Sequence, residues 1–204
     1  EPTATISVST NEVCENETAT VTFSGSGGTA PYTFTYTEND VEKTIITTGT
    51  NIEIYFDFKT SISGDYVFVL TKVKDDSETP LVADLDDKVT IKVNEAPVAS
   101  FTVTNDNSCS GETLRFNNTS KGDGLTYSWV FGDDETSTEK SPSHVFDNLL
   151  GCGTKDYNVK LMVTDKNGCI SSTASQKVTV NKKPIFEIYD PTERSFSNCG
   201  NVSS

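Results

Sequence analysis

Histidine is almost absent from this chain, and tryptophan and methionine are equally scarce. The 204 residues include one histidine, one tryptophan and one methionine. Nucleophilic catalysis by serine or cysteine usually needs a base whose pKa lies near the working pH, and one histidine leaves little choice of base. The sequence also contains no glycine-rich phosphate loop, no HExxH pair and no paired CxxC motif. We therefore expect no enzymatic activity.

Long apolar segments and positive charge are also in short supply. No stretch approaches the roughly 18 consecutive apolar residues that a membrane-spanning helix requires, so we expect no membrane insertion. Thirty acidic residues against 16 basic ones give a formal net charge of −14. A strongly acidic surface repels nucleic acid, which is therefore not expected as a partner.

Alternation of apolar and polar residues dominates what is present. Strands with one apolar face bury that face and leave the other in water. About seven such strands per repeat, separated by turns rich in glycine, asparagine and aspartate, predict an all-β chain of immunoglobulin-like sandwiches with almost no helix. The alternating sets are Tyr32, Phe34 and Tyr36; Ile52, Ile54 and Phe56; Tyr66, Phe68 and Leu70; Val89, Ile91 and Val93; Leu114 and Phe116; Tyr127, Trp129 and Phe131; Tyr157, Val159, Leu161 and Val163; and Val178 and Val180.

The chain repeats itself at a spacing close to the length of one sandwich domain. Similar segments open with a proline at Pro2, Pro97 and Pro184. A cysteine follows each opening, and these are Cys14, Cys109 and Cys199. Because proline lacks a backbone N–H, it ends the preceding strand at each junction. The recurrence therefore marks the limits of domains.

These limits predict two complete sandwiches and the first strand of a third. The first domain spans residues 1–95 and the second spans residues 96–182. Residues 183–204 begin a third, truncated repeat in this interpretation. The neighbouring repeats of the same chain are then its immediate partners, and we expect a monomer.

Residues 125–146 carry a dense aromatic motif, which reads LTYSWVFGDDETSTEKSPSHVF. The motif resembles the PKD domain, whose signature joins an aromatic-x-Trp-x-Phe-Gly-Asp-Gly core to a Pro-x-His-x-aromatic strand. The matching positions are Tyr127, Trp129, Phe131, Gly132, Asp133, Pro142, His144 and Phe146. Asp134 departs from the pattern by replacing the second glycine, and residues 149–155 look like an insertion. The resemblance covers about residues 97–182.

The resemblance implies a structural role for each motif residue. Trp129 and Phe131 are expected to point into the sandwich, and Gly132-Asp133 to turn the chain at the end of a strand. His144 is expected to form a hydrogen bond across strands near that turn, rather than to act in catalysis.

The first repeat lacks the PKD motif and resembles a different class of repeat. Its Gly27-Gly28-Thr29-Ala30-Pro31-Tyr32 segment is similar to immunoglobulin-like repeats of very large secreted surface proteins of Bacteroidetes, among them gliding-motility adhesins of the SprB type. Gly64-Asp65-Tyr66 resembles the tyrosine corner of sandwich folds. The resemblance implies an extracellular, cell-surface location.

The five cysteines favour disulfide bonds in such a compartment. Cys109 lies between the first two strands of the second repeat, and Cys152 lies in the loop before the Tyr157 strand. Because these loops share one end of an immunoglobulin-like sandwich, we predict a Cys109–Cys152 bond. Cys169 is expected at the opposite end, but Cys109–Cys169 stays open because similar repeats often carry both cysteines. Cys14 has no partner within its own repeat and is expected to be free.

Acidic turns are the candidate cation sites. Calcium takes about six to eight oxygen ligands, which aspartate and glutamate side chains in a turn can supply. The residues that share one turn of the first repeat are Asp75, Asp76, Glu78, Asp84, Asp86 and Asp87. Solvated acidic loops explain the same pattern without a ligand, so we predict no cofactor and keep calcium as the alternative.

Taken together, these features predict structural spacer repeats of a large secreted adhesin that present a distal binding region, in gliding motility or surface attachment. Surface glycans or proteins are the candidate external partners. An alternative is an accessory carbohydrate- or protein-binding module of a secreted polysaccharide-degrading enzyme. That module would need exposed aromatic side chains, for which Tyr55 and Tyr189 are the candidates off the apolar phase. A periplasmic structural module of an envelope machine is a third alternative.

Overall fold

Strands joined by turns account for all the regular structure described in this computed structural model. The described ranges are residues 1–77, 82–104, 106–147 and 149–184. No helix in these ranges is long and apolar enough to cross a membrane. The chain divides into two units between Glu95 and Ala96, at the junction where the proline and cysteine recurrences place the end of the first repeat.

The first unit packs two sheets around one core. Its strands are β1 (Thr3–Val8), β2 (Glu12–Cys14), β3 (Thr18–Ser26), β4 (Thr33–Glu38), β5 (Val41–Ile46), β6 (Glu53–Lys59), β7 (Gly64–Lys74) and β8 (Val82–Asn94). One sheet has the order β1-β3-β6 and the other β2-β8-β7-β4-β5. The pairing of β2 with β8 is parallel. Two sheets packed in this way form an immunoglobulin-like β-sandwich.

An aromatic cluster fills the centre of this sandwich. Strand β3 alternates threonines on its outer face with buried Ala19, Val21 and Phe23 on its inner face. The Phe23 ring centroid lies 4.8 Å from that of Tyr36 and 5.6 Å from that of Phe34, both on β4 of the opposing sheet. The contact between Phe23 and β4 therefore joins the two sheets.

Two local features set the turns of the first unit. Asn39 and Asp40 connect β4 to β5 with φ angles of 46° and 68°, and asparagine and aspartate tolerate this left-handed conformation best among residues with a side chain. The Asn39 side-chain oxygen accepts a hydrogen bond from Val67 N at 2.8 Å. The Tyr66 hydroxyl donates to Ile62 O at 3.1 Å, which confirms the tyrosine corner.

The second unit also packs two sheets around its own core. Its strands are β9 (Phe101–Thr104), β10 (Thr113–Asn118), β11 (Thr126–Val130), β12 (Thr136–Ser137), β13 (Ser143–Val145), β14 (Thr154–Thr164) and β15 (Ala174–Asn181). The sheet orders are β13-β10-β9 and β12-β11-β14-β15. The chain is thus all-β, a tandem of immunoglobulin-like sandwiches as predicted.

The predicted apolar faces are largely buried, with one clear exception. Ile52 is 50% exposed because it precedes β6, which begins at Glu53. The prediction carried the alternation one step beyond the start of the strand, and Phe58, at the other end of the same strand, is buried in its place. The proposed third repeat falls mainly on residues 185–204, which lie outside the described residues, so it stays a prediction.

We expect Phe23→Ala to lower the free energy of unfolding by about 3–5 kcal/mol, because the truncation leaves a cavity between the two sheets. Urea denaturation followed by far-ultraviolet circular dichroism measures the change. Tyr55→Ala is the matched control, since Tyr55 lies in the same three-stranded sheet but is 67% exposed; a change within about 0.5 kcal/mol is expected there. Equal losses for the two variants would contradict this account of the core.

Candidate functional site

Trp129 lies at the centre of the second core. It is fully buried on β11, and its indole N–H donates to Glu139 O at 2.9 Å. A buried N–H without an acceptor would cost about 1–3 kcal/mol, so this bond is needed where the indole lies. The ring meets Phe101 near edge-on at 5.0 Å and lies 5.8 Å from Phe116. The sequence-based placement of Trp129 in the core is thus what the structure shows.

The turn after β11 depends on a glycine and an aspartate. Gly132 has a φ of +88°, and a Cβ at this position would lie 3.1 Å from both N and O of Asn158. Only glycine fits this approach to the neighbouring strand without a shift. Asp133 Oδ1 accepts a hydrogen bond from Glu135 N at 3.2 Å, and Phe131 N donates to Glu135 O at 3.1 Å. Together these contacts close the turn.

Asp134 occupies the position where the PKD signature has its second glycine. Its φ is +72°, so the chain keeps the left-handed backbone although the residue has a side chain. Aspartate is one of the few residues other than glycine that visits this region readily. The departure from the signature therefore places a residue with a side chain in a backbone conformation that glycine adopts most easily.

His144 fastens strand β13 to this turn. Its Nε2–H donates to Asp133 Oδ2 at 2.7 Å, and the two side chains are only 11% and 17% exposed. The imidazole lies parallel to the Phe131 ring, with centroids 4.0 Å apart and 1° between the planes. Phe146 meets the imidazole edge-on at 4.7 Å. The predicted structural role of His144 agrees with these contacts.

Pro142 contributes through its backbone rather than its ring. Its carbonyl accepts a hydrogen bond from Phe116 N at 2.9 Å, which places the start of β13 beside β10. Tyr127 at the start of the motif is partly buried against the same core. All eight matching motif residues, including buried Phe146, therefore lie in the core of this unit or in the turns that border it.

A pocket of about 310 Å³ opens beside His144. Its lining residues are Asp133, Glu135, Ser143, His144, Val145 and Asp147. The carboxylates make it acidic, but within the described ranges no three histidine, cysteine, aspartate or glutamate side chains are grouped so as to hold a metal ion. The arrangement fits a clamp between a strand and a turn.

The calcium candidates of the first unit have separate partners in the structure. Buried Asp75 accepts hydrogen bonds from Thr29 N at 3.2 Å and from the Ser77 hydroxyl at 3.2 Å. Asp87 on β8 accepts from Ile6 N at 3.1 Å. The remaining candidates are Asp76, Asp84 and Asp86, together with Glu78, which lies outside the described residues. The turn does not direct the Asp75 and Asp87 carboxylates to one point, because each satisfies a backbone N–H of a different segment.

Of the two tyrosines proposed for a binding surface, Tyr55 is 67% exposed on the outer face of β6. No second aromatic side chain in the described part of the chain is exposed to a similar degree. Tyr189 lies outside the described residues.

The predicted disulfide pairings are wrong. Cys109 is free and exposed, which excludes both the Cys109–Cys152 and the Cys109–Cys169 bond in this structure. Cys14, Cys152 and Cys169 are all disulfide-bonded, so the expectation that Cys14 is free is wrong as well. The prediction that the Cys109 and Cys152 loops lie at the same end of the sandwich is nevertheless right. The Ser110 hydroxyl donates to Leu149 O at 3.1 Å, so the two loops meet, but the Cys109 thiol faces solvent.

Sequence reasoning missed a pair of glutamates that organise the cysteine turns. Glu17 and Glu112 each accept a hydrogen bond from the backbone N–H of the cysteine three residues earlier, at 3.0 Å in both units. The signal was present as the recurring Cys-x-x-Glu at Cys14 and Cys109. It could have been recognised as the side-chain cap of a turn.

Exposed ion pairs account for the shifted carboxyl groups of this unit. A hydrogen bond from Lys166 holds the pKa of Asp123 below its usual value, and the same contact raises the pKa of Lys166. Hydrogen bonds from Lys177 and then Thr179 lower the pKa of Asp156. Because all these groups are exposed, solvent screens them and they contribute little to stability.

Comparison with known proteins shows what the second unit is similar to. Residues 94–180 match the family model of the PKD domain, which is the segment that carries Trp129, the Gly132 turn and His144. Collagenase ColA of Clostridium perfringens (strain 13 / Type A) is 28% identical over 149 residues, which is 70% of this chain and 12% of the collagenase. The chain therefore spans only a small part of that relative.

Two solved structures are also similar to the chain over most of its length. The fibronectin(III)-like modules of Clostridium thermocellum CbhA are 13% identical, with 89% of this chain and 95% of that chain covered and a TM-score of 0.39. The amphioxus IgVJ-C2 molecule is 11% identical, with 83% and 99% covered and a TM-score of 0.30.

We expect Asp134→Gly to stabilise the second unit by about 0.5–1 kcal/mol, because glycine adopts the left-handed conformation without the steric cost of a Cβ. Asp134→Ala is the matched control: it removes the same charge but keeps the Cβ, and should destabilise the unit. Thermal or urea unfolding followed by tryptophan fluorescence measures both. If both variants shifted stability in the same direction, charge rather than backbone conformation would be the cause.

The Asp133–His144 contact should appear as a coupling energy in a double-mutant cycle. We expect Asp133→Ala and His144→Ala to be coupled by about 1–2 kcal/mol, since each single change leaves a partly buried polar partner unsatisfied. Val145→Ala, on the same strand but with an exposed side chain, paired with Asp133→Ala is the control and should show additivity. A coupling near zero for Asp133 and His144 would show that this contact does not help to hold β13.

Calcium should leave the melting temperature unchanged relative to a chelator, because no three carboxylates among the described residues are grouped so as to hold a metal ion. Differential scanning calorimetry in the two conditions tests this expectation. A calcium-dependent rise that disappears in Asp75→Asn would contradict it and would restore the acidic turn as a cation site.

Proposed function

We propose that this chain forms spacer repeats of a large secreted bacterial cell-surface adhesin, which hold a distal binding region in gliding motility or surface attachment. The observation that carries the proposal is the use made of the PKD motif. Trp129 and Phe131 fill the core, Gly132 makes a close backbone approach, and the Asp133–His144 pair closes a turn. Motif residues that pack the core and close the turn stabilise the repeat. None of them is left for catalysis, so we propose no enzymatic role.

The outer faces support the same proposal. On the sheet β1-β3-β6 the outward positions are mostly serine and threonine, as in the alternation of Thr3, Thr5 and Ser7 with apolar residues on β1. Hydroxyl groups and acidic residues keep a repeat soluble without creating a hydrophobic patch. Such a surface suits a protein segment whose task is to separate other parts.

The disulfide-bonded cysteines support an extracellular location. Cys14, Cys152 and Cys169 are all oxidised, and disulfides persist mainly in secreted and cell-surface proteins. The acidic net charge of −14 is compatible with an exposed surface protein and argues against binding to anionic lipid or nucleic acid.

A second candidate function rests on two specific observations. Tyr55 is an exposed aromatic ring on a hydroxyl-rich sheet face, and a collagenase is among the similar proteins. Both favour an accessory carbohydrate- or protein-binding module of a secreted degradative enzyme. The lack of a second exposed aromatic side chain among the described residues makes this the weaker candidate.

Replacement in the parent protein separates these functions. If the repeats are spacers, exchanging residues 1–183 for two unrelated sandwich domains of similar length should preserve adhesion, whereas deleting them should reduce it. If the repeats bind a ligand, the exchange should abolish adhesion as fully as the deletion. Binding of the isolated chain to a polysaccharide or to collagen, lost in Tyr55→Ala and kept in the control Thr22→Ala, would contradict a spacer function.

A further inference from the structure

The two sheets of the first unit differ in width. Three strands, in the order β1-β3-β6, lie opposite five, in the order β2-β8-β7-β4-β5. At one side of the sandwich β1 meets β8, where Ile6 N donates to Asp87 Oδ2 at 3.1 Å. At the other side the Phe56 ring of β6 lies 5.9 Å from the Tyr36 ring of β4. Strand β5 continues the larger sheet beyond β4, on the side where the smaller sheet ends with β6.

The side of β5 that faces the smaller sheet is only partly covered. Residues directly opposite each other in an antiparallel pair share one side of the sheet. Ile45 and Val41 of β5 are opposite Phe34 and Glu38 of β4, so both follow the inner side. Ile45 packs against the core, whereas Val41 is 61% exposed. A strip of apolar surface therefore lies open beside β6.

The outer edge of β6 presents unpaired backbone groups. Gly25 N donates to Ile52 O at 2.8 Å, which sets the phase of the ladder between β3 and β6. Because successive residues of a strand point their N–H and C=O groups to opposite sides, those of Glu53, Tyr55 and Asp57 point away from β3. In the described part of the chain these three N–H groups have no hydrogen-bond partner.

This edge lacks several features that block the addition of a further strand. Proteins often protect a sheet edge with a proline, a bulge or a covering segment. Strand β6 contains no proline, and seven residue pairs join it to β3 without a shift of register. The opposite edge of the same sheet differs, because the Asp87 carboxylate caps Ile6 N there. The β6 edge is thus regular and uncapped.

Charge around this edge selects the kind of strand that fits. Glu53 and Asp57 lie on the outer face of β6, whose one basic residue is the lysine at its C-terminal end. On β5, Lys43 is ion-paired with Glu38, and Glu42 adds a further carboxylate. Opposite charges at facing positions of two strands attract, whereas like charges repel. A second copy of this chain has a net charge of −14 and is therefore disfavoured as the added strand.

We propose that the outer edge of β6 binds an extended segment of a basic partner protein as a fourth strand of the smaller sheet. The backbone of that segment pairs with Glu53, Tyr55 and Asp57. Its inward side chains are apolar and cover the strip beside Val41. Its outward side chains are lysine or arginine and face the carboxylates of β6. This inference concerns the first unit and does not depend on the spacer function.

A synthetic peptide in which lysine alternates with valine is the probe. The fluorescein-labelled peptide is titrated with the 204-residue chain, and fluorescence anisotropy measures binding at low and high salt. We expect saturable binding that weakens as salt rises. We expect much weaker binding of two control peptides, one with glutamate in place of lysine and one with the same composition but all lysines before all valines. Equal binding of either control, or no binding of the probe up to about 1 mM, overturns the proposal.

A matched pair of variants tests the backbone pairing. Tyr55→Pro removes the central unpaired N–H, and proline is tolerated at an edge where the N–H faces solvent. We expect the Kd for the probe to rise about fivefold, which corresponds to one lost hydrogen bond. Tyr55→Ala keeps the N–H and should change the Kd less than about twofold. Equal losses in the two variants overturn the pairing. Circular dichroism checks that both variants fold.

A second pair of variants tests the charge and keeps the test decisive if Tyr55→Pro does not fold. Glu53→Lys should raise the Kd about tenfold, because it places like charges opposite each other. Asp65→Lys makes the same charge change at an exposed position of β7 in the larger sheet, and should leave the Kd within about twofold. Equal effects of the two overturn the proposal.

Analytical ultracentrifugation of the chain without peptide completes the design. A monomer is the expected result. A dimer that Glu53→Lys or Tyr55→Pro abolishes assigns the edge to a second copy and overturns the choice of a basic partner. The exchange experiment on adhesion is unaffected by any of these results, so failure of this proposal and failure of the spacer function are distinguishable.

Discussion

The indole N–H of Trp129 is buried away from water, so it needs a hydrogen-bond acceptor within the protein. The arrangement of the second unit follows from that need. Its acceptor, Glu139 O, lies in the segment between β12 and β13. With that carbonyl held against the core, the chain continues to Pro142, whose own carbonyl binds β10. His144 then arrives beside the Asp133 turn. A buried polar atom thus constrains the position of the segment that carries the clamp, because leaving that atom unpaired would cost about 1–3 kcal/mol.

The first unit solves the same packing problem without a tryptophan. Phe23, Phe34, Tyr36 and Phe56 lie against one another across the two sheets. These rings bring little need for hydrogen-bond partners in the core, so the turns around them are determined locally, by left-handed Asn39 and Asp40 and by the tyrosine corner. The two units reach one architecture through different side chains, which is expected when the alternation of apolar residues determines the fold class.

The sequence was sufficient to predict the architecture and the place of the motif residues, because a period of two determines which face of a strand is buried. It was insufficient where a side chain's direction outside a strand decides the outcome. Ile52 precedes its strand and is exposed. Cys109 was placed at the correct end of the sandwich, but loop position does not determine which way a thiol points. The acidic turn of the first unit shows the same limit, since composition does not reveal that the Asp75 carboxylate accepts a hydrogen bond from Thr29 N.

The buried indole has a consequence for any spectroscopic study of this protein. Trp129 is the sole tryptophan of the chain, and it belongs entirely to the second unit. Tryptophan fluorescence excited at the red edge of the absorption band therefore reports on the core of the second unit alone. The phenylalanine and tyrosine rings of the first unit do not contribute to it. Comparing emission with far-ultraviolet dichroism, to which both units contribute, separates the unfolding of two similar sandwiches without an added label.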